Sequence, residues 1–284
     1  MVIVKIKGGL GNQLFQYAFA KALSLKFGKK LLLDLSWFQP LRYKKTVRKF
    51  YLNDLFTKEN FSCYEWTILD PLKKFVLLSS SNFYPIKIKY INELFIKKNG
   101  VYSGNENIYL DGYWQSHLFG ISSLDYIKYE LVSNKLFNIN SSIFKNILES
   151  NSVSLHIRRG DYTNNSNYVL CGNKYYQKAV DHIFDHVTDP IFFIFTDDPN
   201  WVRDNFNILN SCHIIDNNAT FSDTTLIDFY LMMYCKHHII ANSTYSWWSA
   251  MLSDYNNKIV IAPNSWFAGS KHTFPMFPAS WLLY

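Results

Sequence analysis

Cysteine is scarce in this chain of 284 residues, and its four cysteines lie far apart at positions 63, 171, 212 and 235. The chain has no CxxC pair and no cluster of cysteine with histidine at zinc spacing, which excludes a structural zinc site of the common types. Isolated thiols are typical of a reducing compartment, where disulfides do not form. The sequence therefore predicts buried thiols and a cytoplasmic location.

Long hydrophobic runs are also missing. No stretch approaches the run of about 18 uninterrupted apolar residues that a membrane-spanning helix requires. The opening sequence MVIVKIK is too short for the core of a signal peptide and is interrupted by Lys5. These absences predict a protein that does not cross a membrane.

Charged residues make up only 18% of the chain, and 29 Lys and Arg against 22 Asp and Glu give a formal net charge of +7. The basic residues are scattered rather than concentrated in an arm, which argues against a nucleic-acid partner. A positive surface still attracts anions and leaves room for peripheral contact with a membrane. With 48% hydrophobic and 18% aromatic residues, the chain can bury a large core and expose some rings to sugars or bases.

The first half of the chain begins with the pattern of a βαβ unit. A β-branched run at 2–6 is followed by a glycine-rich break, and apolar residues at three- and four-residue spacing predict a helix over 12–27 that ends at Gly28. A second strand is predicted at 31–35, whereas 36–105 has no sustained period and is interpreted as helices and loops. The next predicted elements are a strand at 108–113 and a helix at 122–137.

The second half alternates regularly between short apolar runs and helical patterns. This alternation predicts a doubly wound parallel sheet, whose ligands lie at the carboxyl ends of the strands. A polar stretch at 150–152 is the predicted junction, which gives an N-terminal domain of residues 1–150 and a C-terminal domain of residues 151–284. The predicted strands are 153–157, 191–195, 213–215, 238–241 and 258–261, and the predicted helices are 174–186, 199–206, 224–235 and 245–252.

The loop after the first strand reads GGLGNQ at residues 8–13. Glycines let a ligand approach the backbone, and the helix that follows directs free N–H groups and the positive end of its dipole towards an anion. The loop has neither the GxGxxG pattern nor the lysine of a Walker motif. Tight packing explains the glycines equally well, and Asn12 and Gln13 are either ligand contacts or caps of the helix.

The strand at 153–157 runs into the sequence HIRRGD at residues 156–161. The alternation of side chains along a strand places His156 and Arg158 on the same side, and the forked guanidinium of Arg158 could clamp a diphosphate in a bidentate manner. The alternative is an ion pair of Arg158 or Arg159 with Asp161 that closes the turn.

Two adjacent carboxylates, Asp197 and Asp198, follow the next strand. They could bind a divalent metal that carries a nucleotide diphosphate. However, Asp198 directly precedes Pro199 and has the position of a helix cap, which leaves Asp197 as a contact to a ribose or a base. The sequence therefore favours a site without metal.

Small polar residues open the helix predicted at 245–252. At a helix N-terminus they form a metal-free cradle for a phosphate, although a cap requires only one of them. Upstream, Asp228 lies on an otherwise apolar helix, where a carboxylate needs a partner. The N1 and N2 edge of guanine is one such partner, and an internal cap or ion pair is the alternative. The residues of the cradle are Asn242, Ser243, Thr244 and Ser246.

These blocks resemble the bacterial α-1,2-fucosyltransferases of glycosyltransferase family 11. They occur in the order of the family between residue 3 and about residue 265, and their combination is far more specific than any one of them. The matching blocks are GGLGNQLFQY at 8–17, HIRRGDY at 156–162, FTDD at 195–198 with Trp201, and Asp228 followed by ANSTYSWW at 241–248.

The resemblance implies a GT-B-type fold, in which two Rossmann-like α/β domains face each other across a cleft. It implies an inverting, metal-independent transfer of L-fucose from GDP-β-L-fucose to the 2-hydroxyl of a terminal galactoside, in a bacterial surface glycan such as O-antigen. The acceptor glycan could be lipid-linked. Its contacts are expected in the N-terminal domain, at residues 36–105, where no block of the family is recognised.

The resemblance also implies a role for each matching residue. Arg158 would bind the β-phosphate and stabilise the departing GDP, and His156 and Asp228 would lie near the guanosine. The hydroxyl groups of Ser243, Thr244 and Ser246 would contact the pyrophosphate. Asn12 would face the donor from the other domain. Asp161 is the candidate base, with an ion pair to Arg159 as the alternative. The predicted donor set is Asn12, Gln13, His156, Arg158, Asp197, Asp228, Asn242, Ser243, Thr244 and Ser246.

Two other classes of function stay open on the sequence alone. One is a non-catalytic module that binds a glycan or a nucleotide, and the other is a transferase of the same fold that uses another nucleotide sugar. RNA binding through the charge of +7 has no RNA-binding motif to support it.

Overall fold

Two parallel β-sheets organise the computed structural model of the protein. The chain divides into two compact units, of which the first comprises residues 1–135 with 273–276 and the second residues 136–272 with 277–284. The structure describes residues 1–38, 48–57, 61–64, 88–99, 106–133, 142–160, 163, 170–207, 212–216, 223–267 and 274–284.

The first unit contains a five-stranded parallel sheet. Its strands are β1 (Val2–Lys5), β2 (Leu31–Asp34), β3 (Ser62–Tyr64), β4 (Ile88–Ile91) and β5 (Asn107–Leu110), in the order β3-β2-β1-β5-β4. Because β1 pairs with β2 on one side and with β5 on the other, the winding reverses between β1 and β5. The helices are α1 (Leu10–Phe27), α2 (Leu52–Leu55), α3 (Glu93–Asn99) and α4 (Leu124–Ser133), with 3-10 turns at Ser36–Phe38 and Ile121–Ser123.

Helix α1 begins at Leu10, two residues before its predicted start, because Gly9 has the extended backbone of an N-cap. Its predicted end is confirmed, since Gly28 adopts the left-handed conformation with φ 60° and its N–H donates to the carbonyl of Leu25. The glycine signals therefore mark both ends of the helix, although neither Asn12 nor Gln13 caps it.

Strands β3 and β4 lie within residues 36–105, which were predicted to be helices and loops. The prediction is wrong at these strands because both are short and neither contains a continuous apolar run, β3 being Ser-Cys-Tyr. In β4, Lys89 and Tyr90 separate Ile88 from Ile91, so the sequence has no apolar run that would predict the strand. Both lie at the edges of the sheet, where a strand needs fewer apolar residues than at the centre.

The second unit contains a six-stranded parallel sheet in the order β11-β10-β9-β6-β7-β8. The strands are β6 (Asn151–Ile157), β7 (Pro190–Thr196), β8 (His213–Ile215), β9 (His237–Ile239), β10 (Val260–Ala262) and β11 (Leu282–Leu283). The helices are α5 (Ser142–Glu149), α6 (Asn173–His186), α7 (Pro199–Asn205), α8 (Thr225–Tyr234) and α9 (Thr244–Leu252).

This strand order is that of a doubly wound Rossmann-like sheet. From β6 the chain winds outward to β7 and β8, returns to the other side of β6 as β9, and continues outward to β10 and β11. The prediction of two Rossmann-like α/β units with parallel sheets is thereby confirmed. The five strands predicted in this half are present, and only the two-residue β11 lacked a sequence signal.

The boundary between the units lies at residues 135 and 136 rather than at the predicted junction of 150 and 151. The reason is helix α5, which the prediction placed in the N-terminal domain. Its buried Ile147 belongs to the same core cluster as Phe193 of β7, Ile215 of β8 and Leu231 of α8. Helix α5 therefore belongs to the second unit.

Helices cover both faces of the second sheet. On one face Leu155 of β6 packs in a cluster with Ile183 of α6, and on the other Phe193 of β7 packs with Ile147 and Leu231. Burial on both faces explains the continuous apolar run of β7, whereas β6 alternates apolar residues with the buried polar residues Ser152, Ser154 and His156. Many of the largest fully buried side chains are aromatic, so much of the aromatic excess fills the cores.

Residues 273–276 return from the second unit to the first. The hydroxyl of Ser116 donates to the carbonyl of Pro275 at 2.6 Å, and the ring of Phe274 lies edge-on to Phe119 at 4.7 Å. In the parts of the chain that the structure describes, no helix is both long and apolar enough to cross a bilayer.

Substitution of Gly8 by alanine should destabilise the protein. Gly8 has φ 84°, and a Cβ there would lie 2.7 Å from Nδ2 of Asn12. We expect Gly8→Ala to lower the free energy of unfolding by about 1–3 kcal/mol in urea titrations. The matched control is Gly9→Ala, because a Cβ at Gly9 meets nothing within 4 Å. It should cost less than about 1 kcal/mol, through the weaker N-cap alone; equal losses would contradict the argument.

Candidate functional site

The candidate site of the second unit lies at the carboxyl ends of β6, β7 and β9, which are neighbours in the sheet. In the register, Ile157 of β6 is opposite Thr196 of β7, and Leu155 is opposite Ile239 of β9. The loops after these strands therefore start at the same edge. The winding of the chain reverses between β6 and β9, which is where ligands of such sheets bind.

Arg158 and Asp197 form an ion pair at this edge. Nη1 of Arg158 lies 2.8 Å from Oδ2 of Asp197, and the two side chains are 23% and 25% exposed. The other carboxylate oxygen of Asp197 accepts the backbone N–H of Arg159 at 2.9 Å. A Cβ at Gly160 would lie 2.4 Å from Oδ2 of Asp197, so the carboxylate packs directly against the glycine. The prediction that Asp197 contacts a ribose or base stays untested, but its described partners are the two arginines.

Arg159 has different partners. Its Nε lies 3.4 Å from Oδ2 of Asp198, and its guanidinium stacks on the ring of Trp201 at 3.8 Å. Asp198 is also the N-cap of α7, where Oδ1 accepts the N–H of Trp201 at 3.1 Å ahead of Pro199. The capping interpretation of Asp198 is confirmed. Arg159 therefore holds the loop together, whereas Arg158 pairs with Asp197 at the strand end and is 23% exposed.

A metal site at Asp197 and Asp198 receives no support from this geometry. Each carboxylate is paired with an arginine. Within the described ranges, no group of three or more His, Cys, Asp or Glu side chains could hold a metal ion. Metal independence of the reaction stays a prediction.

The polar residues at the start of α9 have separate roles. Ser243 is the N-cap, and its Oγ accepts the N–H of Tyr245 at 3.4 Å. The amide of Asn242 is buried, donates to the carbonyl of Trp266 at 3.0 Å and accepts from the thiol of Cys171 at 3.7 Å. Ser246 is fully buried, while Thr244 is partly exposed. Asn242 and Ser246 thus hold the loop, and Thr244 lies partly exposed at the N-terminus of the helix.

His156 joins β6 to α9 through a hydrogen bond between its Nδ1 and Oγ of Ser246 at 2.8 Å. Burial and the neighbouring charge of Arg158 lower the pKa of His156 from 6.5 to about 3. The ring is therefore neutral near pH 7. A neutral, buried imidazole can orient Ser246 but is a poor acceptor of a proton from a substrate.

Asp228 lies in the first turn of α8 and accepts the hydroxyl of Thr224 at 3.0 Å. This local bond is the kind that an internal cap would make. The hydroxyl of Tyr245 donates to the carbonyl of Thr225 at 2.5 Å and so links the start of α8 to α9. Contact of Asp228 with guanine stays a prediction.

Asp161, the candidate base, lies outside the residues that the structure describes, as does most of 36–105, where acceptor contacts were expected. No placement of either follows from the structure.

In the first unit, the glycine loop is held by two glutamines. Gln13 is fully buried, and its amide donates to the carbonyls of Gly8 and Lys49 and accepts the N–H of Tyr51. Gln16 pairs with both backbone groups of Lys7. Gln13, a predicted donor contact, is thus a positioning residue in this structure. Gln16 was not singled out from the sequence, although its recurrence three residues after Gln13 was a usable signal.

Asn12 has a different environment, at the reversal point between β1 and β5. Its Oδ1 accepts from the amide of Gln115 at 2.8 Å. Nearby, Asp111 pairs with Lys7 at 2.9 Å and with Lys5 at 3.2 Å. Burial raises the pKa of Asp111, but the two lysines outweigh it and hold that pKa below its usual value. Asn12 and Gln115 therefore form a polar pair in the first unit.

The fold and this site define an α/β protein that presents an arginine and a helix N-terminus at the reversal point of a doubly wound sheet. The model of the family described as Glycosyl transferase family 11 matches residues 1–282, and the chain belongs to this family of glycosyltransferases.

The chain is also similar in sequence to individual glycosyltransferases. The O-antigen biosynthesis glycosyltransferase WbnK of Escherichia coli is 33% identical over 93% of this chain and 94% of that protein. The alpha-1,2-colitosyltransferase of Escherichia coli is 30% identical over 99% of this chain and 98% of that protein. Galactoside alpha-(1,2)-fucosyltransferase 2 of Rattus norvegicus is 29% identical over 37% of this chain and 30% of that protein.

Acid should destabilise the protein in part through His156. Because its folded pKa is about 3, below the ordinary 6.5, the unfolded chain binds a proton first and stability falls as the pH drops through this interval. The variant His156→Asn can keep a bond to Ser246 but has no titrating ring. Between about pH 6 and pH 4.5, the free energy of unfolding of the wild type should fall more steeply by about 1.4 kcal/mol per pH unit.

Urea titrations across this range measure both slopes. Above about pH 7.5 the histidine is neutral in both states, and the two slopes should coincide. Parallel slopes throughout the acid range would show that His156 takes up a proton in the folded protein.

Proposed function

We propose that this glycosyltransferase is an inverting α-1,2-fucosyltransferase, which moves L-fucose from GDP-β-L-fucose to the 2-hydroxyl of a terminal galactoside. The observation that carries the proposal is the oriented, partly exposed Arg158 at the reversal point of the second sheet, at the same sheet edge as the loop between β9 and α9. The resemblance of the surrounding blocks to α-1,2-fucosyltransferases and the name of the rat relative support the choice of donor and linkage.

The chemistry requires stabilisation of the leaving group. As the bond between fucose and GDP breaks, the sugar becomes oxocarbenium-like and negative charge grows on the β-phosphate. The guanidinium of Arg158 supplies fixed positive charge there, and the first N–H groups of α9 add the positive end of a helix dipole. The donor would thus occupy the second unit, with Thr244 at the pyrophosphate and Asp228 at the guanine.

Inversion requires a base that removes the proton of the acceptor hydroxyl. The pKa of about 3 makes His156 unsuitable for this role. Because Arg159 is already paired with Asp198 and stacked on Trp201, the fold does not require Asp161 as a partner for Arg159. We therefore keep Asp161 as the proposed base.

The proposed reaction needs no metal or other cofactor. Charge neutralisation that a divalent cation would supply comes instead from Arg158 and from the helix end. The carboxylates that could bind a cation are paired with arginines. Activity should therefore persist in EDTA.

The proposed setting is the cytoplasm, at the inner face of the membrane, where the chain would act on a lipid-linked precursor of a surface glycan such as O-antigen. The full-length similarity to the E. coli O-antigen glycosyltransferase supports this setting. Nucleic acid is not among the proposed partners.

A second donor deserves a direct test because of the full-length similarity to an alpha-1,2-colitosyltransferase. Colitose lacks the 3-hydroxyl of fucose and is otherwise the same sugar. Both nucleotide sugars would present the same diphosphate to Arg158, so the pairing at the strand end does not distinguish them. The choice would depend on whether a polar group meets the 3-hydroxyl.

Replacement of Arg158 should abolish most of the transfer. With GDP-fucose and lactose as substrates, Arg158→Ala should lose about 10²–10³-fold in kcat, because the charge on the leaving phosphate is no longer stabilised. Mass spectrometry of the released GDP and of the product measures the rate, and parallel reactions with GDP-colitose measure the preference for the donor.

The control for this variant is Arg203→Ala on α7, whose guanidinium pairs at 2.7 Å with Asp216, directly after the edge strand β8 and two strands away from β6. It should retain normal turnover. Near-normal turnover of Arg158→Ala would reject the proposed role, faster transfer of colitose would change the donor, and the absence of transfer from both donors would favour a non-catalytic module.

A further inference from the structure

Asp197 places a carboxylate beside the arginine that is proposed to meet the leaving phosphate. Its Oδ2 lies 2.8 Å from Nη1 of Arg158. A negative group next to a phosphate site opposes binding of the anion, because like charges repel more strongly where solvent is partly excluded. A residue with such a cost needs a compensating role.

We infer that Asp197 is a positioning residue, which holds the guanidinium of Arg158 in the orientation that meets the leaving diphosphate. This inference rests on the proposed function for its catalytic consequence. Asp197 would touch neither sugar nor nucleotide and would act through Arg158 alone.

The carboxylate is itself fixed from two sides. Oδ1 accepts the backbone N–H of Arg159 at 2.9 Å, and Oδ2 lies where a side chain at position 160 would have to be. The register that sets Ile157 opposite Thr196 brings the two following residues, Arg158 and Asp197, to the same level of the sheet. The aspartate is thus held rigidly by the backbone and can transmit that rigidity to a long side chain.

Gly160 is part of this arrangement. An added Cβ would come within 2.4 Å of Oδ2 of Asp197 and 3.2 Å of its Cγ, so the carboxylate would have to leave its position. Gly160→Ala therefore displaces Asp197 from Arg158 without changing any charge. The variant therefore distinguishes an effect of the position of the Asp197 carboxylate on activity from an effect of its charge.

The neighbouring Asp198 has a different task. It caps α7 and pairs with Arg159 rather than with Arg158. Because asparagine is also a good N-cap, Asp198→Asn removes one negative charge at the same loop and keeps the cap. It is the matched control for Asp197→Asn.

The experiment compares kcat and KM for GDP-fucose, together with the Kd of GDP from calorimetry, in the full chain and its variants. A guanidinium that is out of position should cost about 10–100-fold in kcat. We expect this loss in both Asp197→Asn and Gly160→Ala, with GDP bound no more tightly than by the wild type. Asp198→Asn should retain the kcat of the wild type.

Two results would overturn the inference. If Asp197→Asn binds GDP more tightly and Gly160→Ala turns over normally, Asp197 only reduces the local charge. If both variants keep their kcat within about twofold of the wild type while circular dichroism shows a native fold, Asp197 has no role in positioning.

A double-mutant cycle in urea unfolding separates this inference from the proposed function. Asp197→Asn, Arg158→Ala and the double variant should give a coupling of about two- to fivefold in the unfolding constant, the range of partly exposed ion pairs. This readout needs no substrate. Absence of coupling overturns the positioning role even if the wild type transfers fucose, whereas a wild type that transfers no sugar but shows the coupling rejects the function alone.

Discussion

The pairing of β6 with a parallel neighbour on each side is the constraint on which the site depends. Seven residues of β6 pair with β7 and three with β9, so the heights of the three strand ends are fixed by backbone hydrogen bonds. Everything that follows Ile157 must leave the sheet at the same edge as the residues after Thr196 and Ile239. The register of the three strands therefore places Arg158, Asp197 and the loop before α9 at one edge of the sheet. The loop sequences determine only the local contacts there.

Net charge contributes little to this arrangement. At the strand ends, two arginines face two aspartates, and the formal charges cancel in spite of the excess of +7 over the whole chain. Selectivity for a diphosphate would then come from geometry, through one guanidinium with a fixed orientation and the backbone dipoles of a helix end. Such a site depends less on ionic strength than a diffuse basic surface, because its groups are partly buried.

Much of the architecture could be predicted from the sequence, because short strand-like segments alternate regularly with helical patterns and glycines mark the ends of α1. The edge strands β3 and β4 could not, since they are short and contain no continuous apolar run, and β11 has only two residues. At the site, the strand ends that carry chemistry were predictable from the alternation of elements. The contacts between individual side chains were not predictable from the sequence. Gln13, Asn242 and Ser246 have the polar character of ligand contacts, yet their described bonds hold loops in place, and residue type does not distinguish the two uses.

The return of residues 273–276 to the first unit affects how the protein can be divided. Proteins of two consecutive domains are separated by one cut in the linker between them. Here a cut between residues 135 and 136 leaves Phe274 and Pro275 on the C-terminal fragment, although their described partners Phe119 and Ser116 are on the N-terminal one. The C-terminal fragment then contains the whole second unit, whereas the N-terminal fragment lacks residues 273–276 of the first. The first unit therefore depends on a segment that is synthesised only after most of the second unit.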